Sequence, residues 1–152
     1  MNRKCILSMS EILPGLWVCN RDDVTSHMFL RATKATHILN CSEEFHGNLP
    51  AATLGLCVKR IPMIDDEDSS SYQQILEAAE LLNQWIHPSN VILVHCAAGV
   101  SRSPTVVIAW MILYRGYTYD KAYDLVVRKR NFICPNPFFT LILKSLQPTG
   151  NT

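Results

Sequence analysis

The 152-residue sequence has no apolar run long enough to cross a membrane; its longest, residues 104–114, falls well short of the ~20 residues that a spanning helix needs. Net charge is also scarce. Fourteen Lys and Arg against 13 Asp and Glu leave +1, which gives no general attraction to nucleic acid or to an anionic membrane surface. There is no CxxC pair among Cys5, Cys19, Cys41, Cys57, Cys96 and Cys134, and no histidine stands near them at zinc spacing, so no zinc module is expected. Repeats, low-complexity tracts and linker-like stretches are missing too, and residues 1–152 read as a single domain. No signal-type apolar stretch follows Met1-Asn2-Arg3-Lys4-Cys5, and Asn2 stands where myristoylation needs a glycine. The expectation is a soluble, cytoplasmic protein, with the nucleus also open to it, that uses neither membrane nor nucleic acid as a partner.

What is present is globular. Hydrophobic residues make up 48% and charged residues 18%, enough for a core that needs no disulfide or metal to hold it. Cys19, Cys41 and Cys57 sit in or beside apolar, strand-like runs and are expected to be buried, reduced thiols. Ile12-Leu13 and Leu16-Trp17-Val18-Cys19 flank the turn dipeptide Pro14-Gly15, which predicts two short strands. A weak helical spacing covers residues 20–35. Short strands are predicted at residues 37–41 and 57–61, with an irregular loop over residues 42–55.

Residues 72–86 carry the clearest helical pattern, with Ile75, Leu76, Ala79, Leu82 and Ile86 on one face. Ser71 and Gln74 form a capping-box pair at its start. Val91-Ile92-Leu93-Val94 is a continuous aliphatic run, as in a central strand covered on both faces. Helices follow over residues 104–114, with Pro104 at the first position, from a Thr118 cap to about Lys129, and from Asn136-Pro137 over residues 138–146. Strands alternating with helices and then a helical C-terminal half predict an α/β fold: a central, mostly parallel sheet of about five strands flanked by helices.

The chemistry is concentrated where the aliphatic strand ends, at His95-Cys96-Ala97-Ala98-Gly99-Val100-Ser101-Arg102-Ser103. A strand that turns straight into a helix leaves unpaired N–H groups at the turn, and the helix dipole adds positive potential there; together they make an anion nest. Ala97, Ala98 and Gly99 are small enough for the loop to curl around a tetrahedral anion. Arg102 offers paired donors that match two phosphate oxygens, which lysine cannot do. The same field stabilises a thiolate at Cys96, a nucleophile that needs no dedicated base. Cysteine and arginine six apart would be a weak signal alone. The aliphatic strand before them and the helix start after them supply the context that the chemistry requires.

The run HCAAGVSRS resembles the signature loop of protein tyrosine phosphatases, and specifically of the small, atypical dual-specificity phosphatases. The resemblance extends over nearly the whole chain. Ile12-Leu13-Pro14-Gly15-Leu16-Trp17 is similar to the family's opening strand and Thr36-His37-Ile38-Leu39-Asn40 to the next, while Arg130, Pro135-Asn136 and Phe138 resemble the segment before its last helix. Pro137 departs from the glycine that many members place before that phenylalanine, and a local backbone change is expected there. The resemblance implies a phosphatase-like fold, a cysteine nucleophile at Cys96, a phosphate loop of Ala97, Ala98, Gly99, Val100, Ser101 and Arg102, a Ser103 hydroxyl that assists the thiolate, His95 and Asn136 as loop support, and neither cofactor nor metal.

Expelling an alkoxide or phenoxide requires a proton donor. Chemistry alone permits Asp65, Asp66 or Asp68; the resemblance of Ile61-Pro62-Met63-Ile64-Asp65 to the family's acid-bearing strand end selects Asp65. Asp66, Glu67 and Asp68 read as solvated or helix-capping carboxylates. The variable positions of the loop are uncharged, unlike the lysine-bearing loops of relatives that act on polyphosphorylated inositols. Together with the short chain, this implies phosphotyrosine and phosphoserine or phosphothreonine on protein substrates. The alternatives are a glucan phosphatase, whose loop usually has glycine where Ser101 stands, and a non-catalytic phospho-binding scaffold, which usually lacks the nucleophile.

Overall fold

The computed structural model of the protein describes residues 10–47 and 49–149; Cys5 lies outside them. Five strands form one sheet: β1 (Ser10–Leu13), β2 (Leu16–Cys19), β3 (His37–Ser42), β4 (Cys57–Met63) and β5 (Ile92–His95). Their order is β1-β2-β5-β3-β4, with only the β1–β2 hairpin antiparallel. The helices are α1 (Arg21–Val24), α2 (His27–Thr33), α3 (Leu49–Thr53), α4 (Ser71–Trp85), α5 (Arg102–Arg115), α6 (Tyr119–Lys129) and α7 (Pro137–Ser145).

β5 lies at the centre because its side chains are apolar on both faces. Ile92 and Val94 join the larger core with Leu39, Val18 and the helices α4 to α7, whereas Leu93 joins the smaller one with Val24, Phe29, Leu30 and Ala51. The period-two alternation of a strand thus feeds two helical layers. Burying each large aliphatic or aromatic side chain here contributes about 1.5–3 kcal/mol relative to exposure. α5 is buried from Arg102 to Leu113 and packs against α4, α6 and α7. That burial fixes the helix whose first turn faces the end of β5. Cys19 and Asn40 pair in register with His95, so β2 and β5 end together beneath that turn and β3 runs two residues further, to Ser42.

Several local expectations needed correction. Residues 20–35 form two helices: Asn20 caps α1 through its side chain, and Ser26 ends the run by capping α2 in turn. The stretch 42–55 holds the short α3. No Ser71–Gln74 capping box forms; Ser71 is buried within α4, and Gln74 donates instead to the Pro62 carbonyl. α5 begins at Arg102, two residues ahead of Pro104, whose missing N–H falls among the first-turn donors that have no helical partner anyway. Cys19 and Cys41 are buried thiols, but Cys57 is exposed because it opens β4, a strand at the edge of the sheet. The Thr118 and Asn136 caps form as expected, and Pro137 fits the first position of α7.

Candidate active site

Between His95 at the end of β5 and Arg102 at the start of α5, every backbone carbonyl is tied to a group outside the loop's centre. The Cys96 carbonyl accepts from His95 Nδ1 at 3.1 Å, and that of Ala97 accepts from the Arg21 amide at 3.0 Å. Arg130 donates to the Ala98 and Gly99 carbonyls at 3.3 and 2.8 Å. The Val100 carbonyl accepts from the Cys134 amide, and that of Ser101 from the amide and hydroxyl of Thr105. The amides of Ala97 to Ser101, by contrast, meet no acceptor among the described residues. A peptide unit with its carbonyl pinned outward turns its N–H inward, so the loop is a ring of donors facing a common centre. Gly99 closes the ring in the left-handed region at φ +68°.

Cys96 lies at the foot of this ring, 2% exposed, with Sγ 3.3 Å from the hydroxyl of the fully buried Ser103. His95 is also fully buried; its Nδ1–H donates to the Cys96 carbonyl, and Nε2 has no partner among the described residues. Burial, with the nearby Arg102 charge adding to it, pushes the His95 pKa down to about 4. The ring is therefore neutral near pH 7, and its geometry supports the loop backbone instead of reaching a substrate.

Arg102, 6% exposed, is held by two elements far away in sequence. Its Nη1 and Nη2 donate to the two carboxylate oxygens of Glu44 at 2.7 and 2.6 Å, and Nη1 also donates to the Met63 carbonyl at 3.0 Å. The Arg102 hydrogen bonds hold the Glu44 pKa down at about 2. Asp65 lies two residues beyond β4, exposed, and accepts from Asn136 Nδ2 at 2.9 Å. Asn136 performs three tasks: its Oδ1 caps α7 by accepting from the Phe139 amide, its Nδ2 holds Asp65, and its own amide donates to Ser101 Oγ. Asp66 and Asp68 accept instead from the neighbouring Glu67 and Ser70 amides, local turn contacts ahead of α4.

Cys96, the loop residues, Arg102, Ser103, Asn136 and Asp65 thus converge on one place at the carboxyl end of the sheet, whereas Asp66 and Asp68 stay in their own turn. Glu44 was missed, and so was the part Arg130 plays in shaping the loop. Glu44 lies in a stretch read only as loop, 58 positions from its partner, and no spacing rule could have linked them. Arg130 carried a signal, since an arginine so near the apolar face of α6 invites the question of what it pairs with. Among the described residues, no group of three or more His, Cys, Asp or Glu side chains could hold a metal ion.

A ring of inward amides at a strand-to-helix turn, with a buried thiol below and a guanidinium at its edge, on a mostly parallel five-stranded sheet, defines the protein tyrosine phosphatase class of fold. Within that class the match is specific: the family model for the dual specificity phosphatase catalytic domain covers residues 16–147, and the chain belongs to that family. It is 34% identical over 140 residues to Dual specificity protein phosphatase 26 of Homo sapiens, covering 90% of this chain and 65% of that protein. To Dual specificity protein phosphatase 19 of Mus musculus it is 33% identical over 141 residues, covering 93% and 63%. The chain therefore spans a little under two thirds of the length of these relatives. Among solved structures, human DUSP28 superposes with a TM-score of 0.81 at 23% identity, covering 90% of both chains. DUSP15 superposes with a TM-score of 0.75 at 26% identity, covering 90% of this chain and 85% of that one.

Proposed function

We propose that the protein is a phosphatase for phosphotyrosine and for phosphoserine or phosphothreonine on protein substrates, working through a phosphocysteine at Cys96. The observation that carries this reading is the loop itself: outward-tied carbonyls, inward amides and a thiol beneath them within reach of Ser103. In the first step a lone pair of the Cys96 thiolate forms the S–P bond. The P–O bond to the substrate breaks, and the leaving oxygen takes a proton from the Asp65 carboxyl group. In the second step a water oxygen attacks phosphorus and gives a proton to the Asp65 carboxylate. The S–P bond then breaks, and the Ser103 hydroxyl donates to the returning thiolate. The amides of Ala97, Ala98, Gly99, Val100 and Ser101, with Arg102, stabilise the equatorial oxygens in both transition states.

The substrate class follows from the lining. Ala97, Ala98, Val100 and Ser101 add no charge to the nest, which suits a single phosphomonoester better than a polyphosphorylated headgroup. A cytoplasmic location, with the nucleus also open, goes with this reading, since a thiolate nucleophile needs a reducing compartment. Turnover of para-nitrophenyl phosphate and of phosphotyrosyl and phosphothreonyl peptides should be abolished in Cys96→Ser. Retained turnover in that variant would refute the cysteine mechanism.

A further inference from the structure

We infer that Glu44 is a positioning residue for phosphate binding, acting through Arg102. This rests on Arg102 being the phosphate clamp. A guanidinium has five N–H donors. Two go to Glu44 and a third, the other hydrogen of Nη1, goes to the Met63 carbonyl. The two left over are Nε–H and the second hydrogen of Nη2, which lie side by side on the same edge of the planar group. Nε is buried and has no partner among the described residues. A buried donor without an acceptor is costly, and here it belongs to the pair whose spacing matches two oxygens of a tetrahedral anion. Glu44 therefore grips the end of the guanidinium and leaves its side edge open, the arrangement of a brace and not of a plug.

The brace is itself fixed before any anion arrives. Asn40 Oδ1 accepts from both the amide and the hydroxyl of Ser42, and its Nδ2 donates to the Phe45 carbonyl at 2.7 Å. Arg60 donates from Nε to the Ser42 carbonyl at 3.0 Å and from Nη2 to the Glu43 carbonyl. The Glu43 amide donates to the Met63 carbonyl, which also receives Arg102. Bonds on both sides of Glu44 thus hold its backbone, and the Phe45 ring packs edge-on against His95. With its acidity held near pH 2, Glu44 stays ionised wherever the thiolate chemistry can run. Preorganising Arg102 in this way removes an ordering cost that an anion would otherwise meet on binding.

The expected sign is the reverse of what charge alone dictates. Removing a carboxylate beside an anion site should strengthen anion binding by relief of repulsion, whereas removing the brace should weaken it. Tungstate, a tetrahedral oxyanion, is titrated by calorimetry into Cys96→Ser protein with Glu44, with Glu44→Gln and with Glu44→Ala. Affinity should fall about tenfold in Glu44→Ala, and kcat/KM on para-nitrophenyl phosphate in the Cys96 background should fall by about tenfold to a hundredfold. Glu44→Gln, which keeps one acceptor, should lie between. In an Arg102→Ala background, Glu44→Ala should no longer weaken tungstate binding, since the brace runs through that one side chain and only the relief of repulsion is left. Tighter tungstate binding in Glu44→Ala would identify Glu44 as a competing plug, and unchanged binding would make it an inert rim ion; either overturns the inference. If wild-type turnover survives Cys96→Ser, the proposed function fails, while the tungstate series still reads the brace separately. Melting curves without anion confirm that each variant is folded, and Glu44→Gln carries the test if Glu44→Ala is not.

Discussion

Gly99→Ala adds one carbon at the place where the loop has least room for it. The ideal Cβ would stand 2.5 Å from Arg130 Nη2 and 2.6 Å from the Cys19 carbonyl oxygen. The first contact is with a side chain that already holds two loop carbonyls, and the second is with the backbone of β2, locked in register with β5, so neither can retreat freely. The backbone also sits at φ +68°, which costs an L side chain roughly 1–2 kcal/mol. Overpacking typically adds 1–3 kcal/mol, for a total of about 3 kcal/mol. At this chain length that corresponds to a fall in Tm of roughly 6–12 °C. Gly116→Ala is the control, because Gly116 has φ +70° and a Cβ there meets nothing within 4 Å. It should lose only the conformational part, roughly 1–2 kcal/mol. The difference between the two variants, measured by calorimetric melting, isolates the clash. A loop pushed off Arg130 by even ~1 Å should also lower kcat/KM by about a hundredfold, an effect Gly116→Ala should not share. If the two variants melt together and Gly99→Ala keeps full turnover, the outward tying of the loop carbonyls is not what shapes the site.

Asn136→Ala should remove the α7 cap, costing about 1 kcal/mol in chemical denaturation, and should also lower kcat by releasing Asp65. In Asp65→Ala the stability part of the Asn136→Ala effect should persist and the kcat part should vanish, a pattern that a purely structural role would not give. Arg130→Lys keeps the charge but cannot bridge the Ala98 and Gly99 carbonyls together, so kcat/KM should fall while circular dichroism stays native. His95 has its folded pKa lowered from 6.5 to about 4, so the fold favours the neutral ring. Its contribution to stability is present above pH 6.5 and is lost as pH falls toward 4, by about 3 kcal/mol in all. His95→Asn should flatten that part of the Tm-against-pH curve, and an unchanged slope would contradict the buried neutral assignment. Glu44 should add a second loss at lower pH, present above its ordinary 4.5 and gone near 2.

The parts of this protein that could be read from the chain are those whose geometry is local. A strand, a tight loop and a helix start occupy consecutive residues from Val91 to Ser103, so the nest, the nucleophile and the clamp were legible together. The Thr118 and Asn136 caps were legible for the same reason, each acting on an amide three residues on. Local signals failed where a distant group outbid them: Gln74 reaches the Pro62 carbonyl instead of closing a box with Ser71, and Cys57 is exposed because the sheet ends at β4. The orientation of the working groups was decided only by the tertiary structure. Glu44 meets Arg102 across 58 positions, Asn136 meets Asp65 across 71, and Arg130 reaches Gly99 across 31. Local chemistry chose which residues carry the reaction, and packing of the β3–β4 and α6–α7 segments against the loop chose where their donors point, because a hydrogen bond depends on distance and angle in space and not on separation along the chain.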